Sequence, residues 1–323
     1  MIPVAMCCCN GGRQMSASFQ RVKMMAVASM TTLGIIPRAE GGSRPAMWGV
    51  IARLLVYGLP TVMIMVPLLS FLAYSFLEQD NGKITGSLTL QNYSAFFASS
   101  SYLYVFFGTL KLAFVVALVA LIFGYIISYL IWRMEGSLRY FLLLLSALPL
   151  VMNYVVKIYA IRSILGFNGF LNSILMSAGI LEQPSKLFIF NQTAVMIAMA
   201  VIYLPFGILP IFLALERIPQ SLVSAAADLG ARPGQIFFTV VLPLSLPGSI
   251  AGALFVMVIA LGDYLTPQMV GGSEGFTFGR AVWSQFGMAF NWPFGAALAV
   301  VLLIAVVTLI GIASLISKAG RIK

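Results

Sequence analysis

The 323-residue chain contains no histidine, and only 9% of its residues are charged. The first absence removes imidazole-based catalytic triads, His-ligated metal sites and histidine proton relays. The second removes the solvated face of a soluble domain, which carries about 25% charge. Cysteine is confined to Cys7, Cys8 and Cys9. A disulfide framework needs spaced pairs and a zinc site needs a fourth ligand, so the three read as part of a reduced, disordered tail. The basic excess of 19 Lys+Arg over 9 Asp+Glu is too thinly spread between apolar runs for a nucleic-acid groove. What fills the chain is apolar: 61% hydrophobic residues and a mean hydropathy of +1.01. The composition is that of a protein whose solvent is the bilayer.

A helix needs about 20 mostly apolar residues to cross about 30 Å of hydrocarbon. Charge-free windows, one of them carried just past its end to include Asp263, supply six: 54–77, 112–132, 140–156 with room to extend to 159, 193–215, 248–265 and 293–316. Two further charge-free windows, 84–110 and 163–181, are rich in Ser, Thr, Asn, Gln or Gly and read as interfacial or loop segments. The expected fold is therefore all-α and integral to the membrane, with six transmembrane helices. Six spans place both termini on one side. The segments on that side hold thirteen Lys and Arg, including Arg133, Arg139, Arg217 and Arg232, against five on the other. Without the five in the N-terminal tail the balance is eight to five. The positive-inside rule makes the richer side, and both termini, cytoplasmic. Residues 1–47 read as a disordered cytoplasmic tail, or as an over-long start with Met47 the alternative beginning. The apolar run 24–37 is too short to span and lacks an obvious cleavage site. Residues 48–78 read as the first transmembrane helix, 79–103 as a periplasmic segment and 318–323 as a cytoplasmic tail.

The most informative stretch lies between spans four and five. Pro219 suits the first turn of a helix and Gly230 its left-handed C-terminal cap. Pro233 can open a second helix that stops before Pro243, giving two short helices at a sharp angle across the membrane face. Ala225, Ala226 and Ala227 permit close approach of another surface, and Leu222 and Leu229 supply apolar contact. Spacing alone leaves two readings, a docking lever for a partner or a re-entrant turn with none.

The spacing Ala225-Ala226, three residues, Gly230, nine residues, Val240, one residue, Leu242-Pro243 resembles the cytoplasmic signature of the binding-protein-dependent (type I, MetI-like) ABC importer permeases. Val240 stands at the isoleucine position and Ser224 where the family usually has glutamate. Further on, Leu261-Gly262-Asp263-Tyr264-Leu265-Thr266-Pro267, Val270-Gly271-Gly272, Gly279, Trp283, Phe286 and Asn291-Trp292-Pro293-Phe294-Gly295-Ala296-Ala297 resemble the spermidine/putrescine permeases of the PotB/PotH type. The resemblance implies an ABC permease domain over 104–317 with a coupling loop at 217–243. It implies that Ser224, Ala225, Ala226, Asp228, Leu229, Gly230, Leu242 and Pro243 serve ATPase coupling. It also implies the partners: an ABC ATPase dimer, a second permease chain, a periplasmic solute-binding protein and the lipid bilayer, with no nucleic acid. The chain would be a transport subunit of the inner membrane importing a small organic solute such as a polyamine by alternating access. It would bind no cofactor and no metal. The G-x-x-x-x-G-K-[ST] phosphate loop is missing, since Gly271-Gly272 has no lysine behind it, so ATP would be used by the partner.

Asp263 is the one acid placed near the middle or outer end of a span. It reads either as a contact for a cationic solute or as a helix-end carboxylate facing water or pairing Arg280. Tyr264, Trp283 and Trp292 read as stacking surfaces for a solute or, preferably, as interface anchors. Pro149, Asn153, Pro205 and Pro210 read as kinks in pathway helices or as ordinary membrane prolines and polar residues. Two rival functions remain on residues alone. An ion-gradient-driven secondary transporter would want coupling carboxylates in its spans, where only Asp263 comes close. A polytopic membrane enzyme would want a buried catalytic cluster, which the composition argues against.

Overall fold

The computed structural model describes residues 54–80 and 82–319. The expectations for the tail 1–47, its three cysteines, the start of the first span at 48–53 and residues 320–323 lie outside them. The chain forms two units, 1–65 and 66–323. The described part of the first, 54–65, is a π-helical turn, Leu54–Gly58, and the opening of helix α1, Leu59–Tyr74, which ends in the second unit. Val62, Met63, Ile64 and Leu69 are all exposed along α1, a surface that only lipid or another apolar partner can solvate.

In the second unit a hairpin of β1, Leu77–Asp80, and β2, Lys83–Leu88, pairs Leu77 with Leu88 and Asp80 with Lys83. Helices α2, Gln91–Ala98, and α3, Ser100–Arg133, follow. Next come α4, Ser137–Val151, α5, Tyr154–Leu165, and α6, Phe170–Ser177. Then α7, Gln192–Glu216, precedes the short α8, Gln220–Asp228. A last long rod is assembled from α9, Pro233–Ile236, a π-helical turn, Phe237–Val241, and α10, Leu242–Gly262. The chain ends with α11, Leu265–Val270, α12, Phe278–Gly287, and α13, Trp292–Ala319.

Among the described residues six helical segments are long and apolar enough to cross a membrane: Leu54–Tyr74, Ser100–Arg133, Tyr154–Ser177, Gln192–Glu216, Pro233–Gly262 and Trp292–Leu315. The count matches the hydropathy reading, but several boundaries differ. The first span ends at Tyr74 and not at 77 or 78, because the chain turns there into β1, which opens at Leu77. Helix α3 begins 12 residues before position 112, because the Ser99 hydroxyl caps it by accepting from the Tyr102 amide at 3.5 Å and polar residues in its first turns are helix-competent. At 34 residues it is about 51 Å long, more than the hydrocarbon requires. The window 140–156 is not one helix. It breaks at Met152 and Asn153, where the Asn153 side chain accepts the Val155 amide at 2.9 Å and starts α5. The segment 163–181, read as interfacial or loop, contains the end of α5 and all of α6. Buried Asn172 organises the turn between them, donating to the Gly166 and Phe167 carbonyls and accepting from the Ser185 amide. Finally, the rod from Pro233 runs unbroken past Pro243 to Gly262. Pro243 falls at the start of α10, directly after the π turn, where a missing N–H is tolerated; Pro247 is carried inside the helix.

The core is the packing of α3, α7 and α10, through buried Val116, Ala120, Ala198, Ile202, Val256 and Ala260. Lipid tails are as apolar as leucine, so helices associate in a bilayer by close packing of small residues rather than by hydrophobic exclusion. Gly248 and Gly252, four apart on α10, lie against α7. A Cβ on Gly252 would stand 3.1 Å from the Gly207 carbonyl, and one on Gly248 would overlap the Ala214 methyl. Ser128 of α3 adds a buried hydrogen bond to the Ile208 carbonyl at 3.0 Å. Gly248→Ala is expected to force α7 and α10 apart and to destabilise by about 1–3 kcal/mol. Gly311→Ala, with nothing near its Cβ direction, is expected to be silent. Thermal unfolding of the two variants in one detergent makes the comparison.

Candidate functional site

Two sites stand out, at different heights along the core helices. The first is α8 and its flanks. Pro219 precedes the helix, and Gly230 ends it at φ +81°. The Gly230 amide donates to the Ala227 carbonyl and the Ala231 amide to the Ala226 carbonyl, at 2.9 and 3.1 Å. This is a Schellman cap, which a left-handed glycine makes without strain. Arg232 and Gln235 then start the rod, the Gln235 side chain accepting the Arg232 amide at 2.8 Å. Val223 turns inward onto a cluster of Ile131, Trp132, Phe212, Leu215, Ile218 and Val241. Leu222, Ser224, Ala225, Asp228, Leu229 and Gly230 are exposed, Leu229 at 89%, while Ala226 and Leu242 are half-buried and Pro243 is exposed. Leu222, Ala225 and Leu229 therefore form an unfilled apolar stripe with Ser224 and Asp228 beside it. Beneath it the Arg139 guanidinium pairs with Glu216 and lies 5.2 Å from the Phe212 ring centroid, fastening the start of α4 to the end of α7.

The second site is centred on Asp263, just beyond the end of α10. Its carboxylate is 7% exposed and receives four hydrogen bonds. One oxygen, Oδ1, accepts the Leu265 and Thr266 amides at 2.9 and 3.1 Å; the other, Oδ2, accepts the Tyr154 and Tyr203 hydroxyls, both at 2.7 Å. The Thr266 hydroxyl lies 2.7 Å from that of Tyr154. If it donates there, every proton of the three hydroxyls is placed and every acceptor of the carboxylate is used. Tyr203 is the twelfth residue of the 25-residue α7, so the hub sits about 17 Å along that helix, near its middle. Asp263 is therefore not at the outer end of the bundle. It does not pair with Arg280, whose Nη1 donates to the Gly272 carbonyl at 2.5 Å and whose guanidinium lies over Phe276.

Beside the hub is a cavity of about 360 Å³ lined by Tyr154, Lys157, Tyr203, Phe206, Asp263 and Tyr264, among others. Tyr264 and Trp283 stack on each other, centroids 5.8 Å apart and rings 6° from parallel. Trp292 is apart from them, edge-on to Phe286 at 5.9 Å. The structure thus brings Asp263 and Tyr264 to one cavity, with Trp283 behind Tyr264. The residues that the resemblance assigns to coupling gather separately at α8 and the start of α10, about 30 Å away along α10 by helical rise. Sequence reasoning missed Tyr154, Tyr203, Thr266 and Lys157. Their signal is a polar-tipped side chain inside an otherwise aliphatic window. Such side chains are common at membrane interfaces, and only the fold shows that these converge. Tyr203→Phe removes one hydrogen bond to a buried charge and is expected to cost about 1.5–3 kcal/mol. The check is a lowered unfolding temperature in detergent.

Residues 120–317 match the family model described as binding-protein-dependent transport system inner membrane component. The spermidine/putrescine transport system permease protein PotB of Haemophilus influenzae is 34% identical over 242 residues, covering 75% of this chain and 84% of that protein. The protein of the same name in Escherichia coli is 31% identical over 252 residues, covering 78% and 91%. Among solved structures, a bacterial alginate ABC transporter in complex with an alginate pentasaccharide-bound periplasmic protein superposes with a TM-score of 0.67 at 14% identity. That match covers 85% of this chain and 98% of the other, a likeness of fold.

Proposed function

The chain belongs to the binding-protein-dependent transport system inner membrane components, as a multi-pass ABC importer permease of the inner membrane, and we propose that it carries a polyamine-like cation under the drive of a separate ATPase. Membership of the family favours neither the secondary-transporter nor the membrane-enzyme reading. The observation that carries the coupling half of the proposal is α8. It is a rigidly capped helix whose outer stripe is bare and whose inner face is packed into the ends of α3 and α7. A partner that grips the stripe moves the helix core with it. Because Ser224 replaces the family's usual glutamate, the grip rests on Leu222, Ala225 and Leu229, with Asp228 as the charged contact. Arg133, Arg139, Arg217 and Arg232 lie in or beside the segments at this end, which supports a cytoplasmic assignment, with both termini on that side.

The solute half rests on the relatives' names and on the chemistry of the cavity, where a buried carboxylate is surrounded by tyrosines. Cations favour such surroundings through charge and through the faces of aromatic rings. In this reading a periplasmic binding protein delivers the solute and a second permease chain completes the pathway. ATP binding closes the ATPase dimer, α8 follows, and the cavity changes the side from which it is reached. The step needs differential contact of α8 with the two ATPase states. In this reading ATP itself is handled by the partner.

The test is a mild-detergent pull-down from native membranes, assayed for a co-purifying ATPase and, in parallel, for uptake. Wild type is expected to bring down ATPase. Gly230→Arg, which meets no internal obstacle but places a bulky cation at the edge of the stripe and a side chain in a left-handed position, is expected to lose it and to abolish uptake. Ser224→Glu is expected to retain or strengthen the association. Undiminished uptake in Gly230→Arg would sink the coupling assignment.

A further inference from the structure

One charged group faces the cavity and takes no part in the hydrogen-bonded hub. Lys157 lies three residues after Tyr154 on α5, on the same face of the helix. Its Nζ is 5.5 Å from the centroid of the Tyr154 ring, within the range of a cation–π contact. It lines the same cavity as Asp263, Tyr203, Phe206 and Tyr264. It is not ion-paired, since the salt bridge found among the described residues is Arg139–Glu216. A lysine within a membrane-crossing segment is costly unless it faces a cavity or finds a partner. This one has settled on a tyrosine face one step removed from the carboxylate.

That face is better suited to a cation than an ordinary phenol. The Tyr154 hydroxyl donates to Asp263 at 2.7 Å. A phenol hydrogen-bonded to a carboxylate is polarised toward phenolate, which enriches its ring in electron density. The carboxylate oxygens are saturated, so the charge of Asp263 reaches the cavity through the field and through the polarised rings of Tyr154 and Tyr203. The cation position is the ring face, and Lys157 occupies it.

The lysine side chain is four methylenes ending in a primary ammonium. The aminobutyl end of putrescine and of spermidine has the same chemistry. We propose that Lys157 is a resident, displaceable cation of the Asp263 cavity, a tethered stand-in for the terminal ammonium of an aliphatic polyamine, which must push it off the Tyr154 ring to occupy the site. The proposal rests on the cationic-solute reading above. With Lys157 in place the cavity carries one acid and one base; with the ammonium withdrawn it presents net negative charge. A tethered competitor has a high effective concentration, so it keeps solute affinity low enough for release, as conduction through a binding site requires.

The experiment uses the permease complex purified from native membranes into nanodiscs, without binding protein, and measures equilibrium binding of radiolabelled putrescine. Co-purifying ATPase reports that each complex is assembled. Lys157→Met keeps the length and removes the charge, and is expected to bind putrescine at least tenfold more tightly than wild type. Lys157→Arg, which retains a cation, is expected to stay within about threefold of it. Asp263→Asn and Tyr154→Leu are expected to lose binding in either background. If Lys157→Met binds no more tightly than wild type while Asp263→Asn or Tyr154→Leu still abolishes binding, the cavity is the solute site and Lys157 is not its competitor. If neither wild type nor Lys157→Met binds putrescine in an assembled complex, the cationic-solute reading itself fails and takes the proposal with it.

Discussion

A backbone that stops being helical inside a membrane leaves amide and carbonyl groups that lipid cannot satisfy, and this molecule resolves the problem with one carboxylate. Helix α10 ends at Gly262, level with the middle of α7, and the chain turns at once into α11. The two leading amides of that turn are taken by one oxygen of Asp263, while the other oxygen binds hydroxyls from α5 and α7. A second helix break, at Met152 and Asn153, lies immediately before Tyr154. Both interruptions thus meet at one hub, each with its own side-chain cap. Irregular backbone at membrane depth is tolerated where it lines a cavity or is buried in protein, and here it does both.

The charge of that carboxylate also decides what the neighbouring space can hold. A hub of neutral residues could cap the turn as well, but it would leave the cavity indifferent to the sign of a solute. With an acid at its centre, phenols oriented toward it and a lysine resting on one of them, the space is arranged around positive charge. If the cavity takes the proposed cation, structural and functional demands fall on the same residues; either way Asp263 is fully hydrogen-bonded while bordering the cavity.

Hydropathy and the proline and glycine rules made much of this legible. Six spans follow from charge-free windows, and the α8 motif follows from Pro219, Gly230 and Pro233, because a left-handed cap and a first-turn proline are local requirements. The boundaries were less accessible. Ser99 starts α3 well before the apolar run begins, since a helix starts where its amides are capped and not where lipid starts. The third span was placed across a break because Asn153 looks, in one dimension, like a polar residue tolerated inside a helix. The hub itself was half legible. Asp263 announces itself as a rare acid, but Tyr154 and Tyr203 stand 109 and 60 residues before it, and nothing local to either marks them as its partners.

The π-helical turn Phe237–Val241 interrupts the rod that runs from the α8 end to the hub. A regular α-helix advances about 100° per residue, so a single turn that holds an extra residue shifts the angular phase of everything on its far side. Phe237, set by that turn, packs against Tyr125 and Tyr129 of α3 at 5.9 and 5.2 Å, while Phe238 points away from the bundle. The orientation of α8 around the bundle is therefore not dictated by the apolar repeat of α10. One residue's worth of helical surplus offsets the two ends of the same rod in azimuth, and Val223 on the cluster of Ile131, Phe212 and Val241 holds α8 to the far side of that offset.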